Sequence, residues 1–331
     1  MRKLIVVAAL VVPTAALAGG YAVPNTNARD LAMCGSVVAG QNDAVATYVN
    51  PAALAGQDGL SVVVNGTMID FRSTWTATDG SGARSQSNLK PVWPPSAFAS
   101  YGGKMTNGMG WGVGVGFNIP FGGNVYWPGD WPGRFAIITV NRRTYAFYAT
   151  GGIQPLPQIK FGGGLTYYRT TEDLVQEFNF LGQEGGAELG AAGGKLSFDL
   201  STEITPIVGV PLTIGIDYKH KGDQTLTGHA HFDNVPAALG PNALDQGVSH
   251  DLSVPNLLNV GIAFRVLPTL LVTGAWTLDR FIVYKRDLFL GDLGTTVLVI
   301  LPEALKTLLP YLARVLGQDP GATFNLESKL A

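Results

Sequence analysis

What most constrains this chain is a period-2 alternation of apolar with polar or small residues, repeated along most of its length. Leu196, Phe198, Leu200 and Ile204 alternate with Lys195, Ser197, Asp199, Ser201 and Glu203. Val210, Leu212, Ile214, Ile216 and Tyr218 alternate with Thr213, Gly215, Asp217 and Lys219. Leu258, Val260, Ile262, Phe264 and Val266 repeat the pattern, and so do Trp111, Val113, Val115, Phe117 and Ile119. Successive side chains of a strand point to opposite faces, so each stretch reads as a strand with one apolar and one polar or small face. Nine such strands are expected, roughly at 60–75, 92–103, 110–121, 140–153, 158–172, 194–206, 209–232, 246–266 and 269–285. Beyond residue 18 no apolar run reaches the ~18–20 residues of a membrane-spanning helix.

Several of these strands exceed the five or six residues usual in soluble sheets and suit the ~9–11 of a tilted membrane strand. Aromatic residues gather near strand ends (Tyr145, Phe147 and Tyr148; Tyr167 and Tyr168; Tyr284), as interfacial girdles do. Periodicity leaves one alternative open, because the apolar face of a secreted sandwich or lectin alternates in the same way. Residues 176–193 and 233–248, rich in Gly, Pro and polar residues, read as long surface loops. Composition narrows the classes further. Only 14% of the 331 residues are charged and 43 are Gly, which excludes disorder. Lys and Arg number 22 against 24 Asp and Glu, leaving no basic excess for nucleic acid. A single cysteine excludes an internal disulfide framework and a cysteine-based zinc site.

The N-terminus reads as an export signal. Arg2 and Lys3 precede an apolar run from Leu4 to Val12, and Ala16-Leu17-Ala18 gives the small-x-small pattern of a cleavage site before Gly19. Leu31-Ala32-Met33-Cys34 looks like the box before a lipidated cysteine. Met33 is too large for it, and Arg29 and Asp30 separate it from the apolar run. Cys34 is therefore expected as a small buried thiol.

The segment between this signal and the first strand runs through small residues to Asn50-Pro51-Ala52-Ala53-Leu54. Later, Pro120-Phe121-Gly122-Gly123 leads to Trp131-Pro132-Gly133-Arg134-Phe135, and Pro255 opens a strand pair that reaches Trp276. Over about residues 19–286 the chain resembles the FadL/TodX family of outer-membrane transporters for long-chain fatty acids and hydrocarbons. The resemblance implies an all-β fold, a transmembrane antiparallel barrel of about fourteen strands, plugged by an N-terminal hatch. It implies domains at 19–56 (hatch) and 57–290 (barrel), in the bacterial outer membrane. It further implies passive passage of a long-chain fatty acid or other hydrophobic molecule, with lateral exit and contact with outer-membrane lipid and lipopolysaccharide. No cofactor, metal or nucleic acid is expected.

Within that frame, Asn50, Pro51 and Ala52 are the candidate hatch residues. Pro51 fixes the backbone and Asn50 can hydrogen-bond its own turn. Gly112, Gly114 and Gly116 are a second candidate gating group. They lie within a strand and lack dinucleotide-loop spacing, so they either mark a kink that opens the wall or leave packing space in the lumen. Phe121, Trp127, Trp131, Arg134 and Phe135 form the candidate ligand site, an aromatic groove with a guanidinium fork for a carboxylate. An interfacial Arg134 holding lipopolysaccharide phosphate or a loop carbonyl is the plainer reading.

Other motifs are weaker. His229 and His231, with His220 or Asp223, have metal-pair spacing but read better as solvated rim residues. Glu172-Asp173 reads as a loop-edge charge pair. No nucleophile elbow is present, and Ser249 beside His250 is the one feature that keeps a lipid enzyme in view. A non-transporting structural barrel is the other alternative. After about Arg286 the chain departs from the family pattern: Val297–Leu301 is apolar and 302–316 has helical spacing. The expectation is a family member lacking its last strands.

Overall fold

The computed structural model describes residues 21–23, 27–70, 72–88, 91–180, 183–207, 209–236, 245–267, 269–280 and 290–291. The expected signal peptide, Tyr284 and the tail with its helical spacing lie outside them. Two short helices, α1 (Ala28–Ala32) and α2 (Ala46–Val49), and a 3-10 helix at Pro51–Gly56 come first. The strands are β1 (Gly59–Gly66), β2 (Thr74–Thr76), β3 (Arg84–Gln86), β4 (Pro95–Lys104), β5 (Gly110–Tyr126), β6 (Thr139–Leu156) and β7 (Ile159–Phe180). After these come β8 (Gln183–Ile204), β9 (Leu212–Lys219), β10 (Gly222–Phe232), β11 (Asp245–Val254), β12 (Asn256–Leu267), β13 (Leu270–Arg280) and β14 (Leu290–Gly291).

The long strands pair antiparallel in the order β1-β4-β5-β6-β7-β8. β8 then serves two partners, β10 along Ala187–Ala192 and β9 along Asp199–Ile204. β10 continues to β11, and β9 to β12 and β13. Only His220 and Lys221 separate β9 from β10, and only Pro255 separates β11 from β12. Each is one long strand interrupted once, so the alternating segments of the sequence reappear here as the walls of the sheet. Among the described residues β1 pairs only with β4 and β13 only with β12. The closing strands expected to be missing would follow residue 286, beyond the continuously described sheet.

Burial answers the question that periodicity left open. Leu60, Val62, Val64, Val113, Val115, Leu165, Leu196, Leu200, Ile262 and Val272 are exposed. Thr144, Thr166, Thr170, Asp199, Glu203 and Asp217, on the opposite face of their strands, are buried. A sandwich would bury the first set and expose the second. An apolar outer face of this extent is stable against hydrocarbon, not water.

Residues 176–193 are not a long loop. β7 and β8 are paired from Ile159↔Ile204 to Phe180↔Gln183. At ~3.3 Å per residue a 22-residue strand is about 70 Å long, so this hairpin projects well past a ~30 Å hydrocarbon layer. The Gly and polar content of 183–194 reflects a strand that has left the membrane. Cys34 is exposed, not buried, at the end of α1 with φ 51°.

What lies inside the sheet is the chain's own N-terminal segment. Ala44, Val45, Ala46, Thr47, Asn50, Ala52 and Leu54 are fully buried. Gly102, Gly112, Gly152 and Gly162 stand in register across β4, β5, β6 and β7. A Cβ at three of them would overlap the backbone of the 3-10 segment (the Leu54 carbonyl at Gly112, Pro51 at Gly152, Ala52 at Gly162), and at Gly102 it would press on the Leu54 carbonyl at 3.2 Å. On the far wall Gly215 and Gly261, also paired, back onto Val38. The amide of Ala44 donates to Ser61 Oγ of β1 at 3.0 Å. A segment that touches β1, β4–β7, β9 and β12 is enclosed by the sheet.

Two outcomes follow from this packing. Gly162→Val drives a side chain into Ala52 and is expected to cost ~1–3 kcal/mol, read as a lower thermal unfolding midpoint, whereas Gly66→Val, in open space, is neutral. Leu165→Arg, on the outer face, is expected to cost up to ~2–4 kcal/mol in a bilayer refolding titration.

Candidate functional site

The connection from β5 to β6 folds into a cap. Trp127 stacks on Trp131 at 4.4 Å, and Trp75 from the β2–β3 hairpin meets Trp131 edge-on at 6.2 Å. Trp131 Nε1 donates to the Ile137 carbonyl at 2.7 Å, and its ring lies over Gly133, where a Cβ would collide with it. Arg134 Nε forms an ion pair with Glu177 at 2.6 Å and Nη2 donates to Glu184 at 2.8 Å, with the guanidinium face 4.4 Å from the Phe135 ring. The hydrogen bond to Glu184, with Glu177 behind it, pushes the guanidinium pKa further up. The Trp-x-Gly-Arg-aromatic motif thus fastens the cap to the projecting β7–β8 hairpin. The carboxylate fork expected of Arg134 is already filled by two carboxylates of the chain, and a third would be repelled. Phe121 is not in this cap: it is buried in the lumen, with Tyr21 edge-on at 5.7 Å.

Asn50 sits at the centre of the inner segment. Its Oδ1 accepts from the Ala52 amide at 3.2 Å, closing the turn that Pro51 begins. Its Nδ2 donates to the Val38 carbonyl at 2.8 Å and, at 3.4 Å, to the Thr202 carbonyl of β8. The Ala52 amide also donates to Ser201 Oγ at 2.9 Å. Around this, Lys160 Nζ meets Glu203 Oε1 at 2.5 Å, and Lys219 Nζ meets Asp217 Oδ2 at 2.9 Å with its ammonium 4.9 Å from the Tyr48 ring.

Gly112, Gly114 and Gly116 face Leu54, Thr47 and Phe98. β5 is paired on both sides from Gly110 to Phe117, so the wall is closed at these glycines and their space is taken by packing. The irregularity comes one turn later. β4 pairing ends at Ala97↔Phe117, and the β6 register slips between Asn118 and Phe121, around Pro120, which has no amide hydrogen. β6 continues along one edge of β5 to Tyr126. The other edge is taken by Tyr21–Val23, through Val23 N–H to Pro120 O at 2.7 Å and Gly122 N–H to Tyr21 O at 2.8 Å.

A cavity of about 330 Å³ lies beside this bridge, lined by Tyr21, Ile137, Val140, Arg142, Glu172 and Leu174 among others. Arg142 Nη2 bonds Glu172 Oε1 at 2.7 Å, and His250 Nε2 lies 3.4 Å from Glu172 Oε2. The Arg142 guanidinium is 5.4 Å from the Tyr21 ring, and Tyr21 OH donates to the Ser253 carbonyl at 3.0 Å. Glu172 is therefore a lumen residue, while Asp173 is on the other face with Asn141 at 3.1 Å, so the two are not a loop-edge pair. Tyr21 and Arg142 were not legible as site residues, and His250 was noted only beside Ser249. The available signal was the parity of Arg142 with Thr144, Ala146 and Tyr148, the inward face of β6. Ser249 and His250, consecutive in β11, point to opposite faces and cannot form a dyad. His231 pairs with Asp245 at 2.8 Å, and among the described residues no cluster could hold a metal ion.

A family model described as outer membrane protein transport protein (OMPP1/FadL/TodX) matches residues 9–277. No curated protein matches the chain. Among solved structures, a FadL homologue of Pseudomonas aeruginosa superposes with a TM-score of 0.71 at 16% identity, over 83% of this chain and 73% of that one. The toluene transporter TodX of P. putida gives 0.59 at 16%, over 83% and 74%. The toluene transporter TbuX of Ralstonia pickettii gives 0.58 at 14%, over 78% and 77%. At these identities the likeness speaks for the fold. With the family match running from the N-terminal apolar stretch into β13, over a sheet that is apolar outside and packed with its own N-terminal segment inside, the chain belongs to the OMPP1/FadL/TodX family of outer membrane transport proteins.

Proposed function

We propose that this protein, exported by cleavage after Ala18, lets small neutral hydrophobic molecules cross the outer membrane passively and leave sideways into the bilayer. The observation that carries this reading is the cavity beside Tyr21, placed where, among the described residues, Tyr21–Val23 take the edge of β5 that β4 leaves after Phe117. The inner segment acts as a plug: Asn50, Ala52 and the glycine row hold it to the wall, so the axial route is blocked. A ligand passing under the cap reaches apolar Ile137, Val140 and Leu174 and then the β4–β5 seam above Phe117.

Charge supports the neutral ligand class. Arg134, Arg142, Lys160 and Lys219, the cations of the cap, cavity and plug seat, are each held by a carboxylate. A fatty acid would enter without a cation to receive it, whereas a hydrocarbon needs none. Similar solved structures include a monoaromatic hydrocarbon channel and toluene transporters, which supports the neutral class.

Expression in cells lacking other such channels is expected to raise toluene uptake several-fold and to leave oleate uptake unchanged. No gain for toluene would favour a permanently closed structural barrel. Arg134→Ala is expected to alter the passage of toluene and to leave oleate uptake at the level of cells without the protein, because its loss loosens the cap without removing a ligand contact. Oleate uptake that rises with the native protein and is lost selectively in Arg134→Ala would restore the carboxylate role. For lateral exit, Ala22→Cys with Phe121→Cys, in a Cys34→Ser background, places two thiols across an antiparallel bridge. Their Cα atoms are ~4.5–5.5 Å apart, within disulfide reach. Oxidation is expected to stop toluene transport and reduction to restore it.

A further inference from the structure

Tyr21 is held by more than its backbone. Its hydroxyl is tied to Ser253 at 3.0 Å, its edge meets Phe121 at 5.7 Å, and its ring lies 5.4 Å from the Arg142 guanidinium. Arg142 is itself fixed, because Glu172 holds its edge at 2.7 Å and His250 stands behind Glu172 at 3.4 Å. Arg142, Glu172 and His250 come from β6, β7 and β11 and are almost wholly buried. A guanidinium whose edge is bonded to a carboxylate still presents a flat cationic face, and here an aromatic ring of the chain occupies that face. Tyr21 and Arg142 both line the cavity, so a molecule entering it meets this ring-on-guanidinium contact directly.

We propose that Arg142 is the specificity-determining residue of the channel. It exchanges the Tyr21 ring for the ring of an aromatic ligand, so that an aromatic hydrocarbon itself unseats the segment closing the β4–β5 seam. The inference rests on the transport reading and adds the ligand class and the residue that reads it. A saturated ring of the same size buries the same apolar area but has no negative face to offer the guanidinium. It leaves Arg142 on Tyr21 and the seam shut. A carboxylate ligand would compete with Glu172 for the bonded edge and lie beside a buried negative charge. Ala22, the residue of the bridge to Phe121, follows Tyr21 directly, so loss of the ring's seat loosens the bridge.

The test compares toluene with methylcyclohexane, using the full protein in outer-membrane lipid vesicles and measuring efflux of each. The native protein is expected to pass toluene about tenfold faster, the scale of one desolvated cation–ring contact. Arg142→Gln alone would strand Glu172, so it is made together with Glu172→Gln, and heat-modifiable mobility on gels checks folding. This double variant, in which the Tyr21 ring has lost its seat, is expected to pass both hydrocarbons at the same rate, above the native rate for methylcyclohexane. Tyr21→Phe, which keeps the ring, should keep the preference, and Tyr21→Leu should raise the rates of both. Equal rates in the native protein, or a preference that survives in the double variant, would overturn the role of Arg142 and leave transport standing. Rates no higher than in empty vesicles for either hydrocarbon would overturn transport itself.

Discussion

The close contact between the plug backbone and a row of glycines is what the rest of the molecule depends on. A sheet that turns its apolar face outward keeps a mixed inner face, and its filling must meet Thr, Asp and Glu side chains as well as the apolar cluster around Val45, Phe98 and Tyr148. Here the filling is the chain itself, and it fits because Gly102, Gly112, Gly152 and Gly162 remove four side chains at one level. Backbone against backbone then allows short polar contacts from Ser201, Thr202 and Ser61 to the plug. Buried amides that found no such partner would each cost free energy, so the seat is a requirement of folding as well as of closure.

The sequence made the strands legible because period-2 alternation is a local property of each segment. Which face met lipid was not, since apolar residues alternate identically in a sandwich; the burial of Asp199, Glu203 and Asp217 opposite exposed leucines decides it. Register was also hidden. The four aligned glycines are spread from residue 102 to residue 162, and only strand pairing brings them into one row. Gly112, Gly114 and Gly116 were visible as a cluster with a kink and lumen packing space both open, and their contacts with Leu54, Thr47 and Phe98 favour packing. Arg134 was found, but its two carboxylates sit on a hairpin tip that composition marked as loop. Glu172 was misread for the same reason. β7 runs longer than its hydrophobic alternation, so a residue past the apolar stretch still points inward.

The buried charges have a common logic. Arg142 with Glu172 near the cap, and Lys219 with Asp217 beside the plug, each join a cation to a carboxylate and then set the cation against an aromatic ring of the N-terminal segment, Tyr21 or Tyr48. Buried ion pairs contribute little net stability once desolvation is counted. Their use is positional: a guanidinium or ammonium fixed at its bonded side offers its remaining surface in one place only. The segment inside the sheet is thereby registered at two levels, by backbone fit at the glycine row and by ring-on-cation contacts at either side of it.

The two levels differ in how easily they come apart. Around residues 44–57 the plug is held by hydrogen bonds to β1, β4 and β8 and by packing against four glycine strands, so moving it breaks many contacts at once. Tyr21–Val23 is held to β5 by two backbone hydrogen bonds and, at Tyr21, by ring contacts with Phe121 and Arg142 and by its hydroxyl on Ser253. An edge of β5 facing hydrocarbon cannot stay bare, because unpaired backbone groups there cost several kcal/mol each. Pro120 softens that requirement by removing one donor at the point where β4 has already let go. Among the described residues, the edge of β5 beyond Phe117 is thus a place where closure is needed yet lightly made, and it is the place the N-terminal segment reaches.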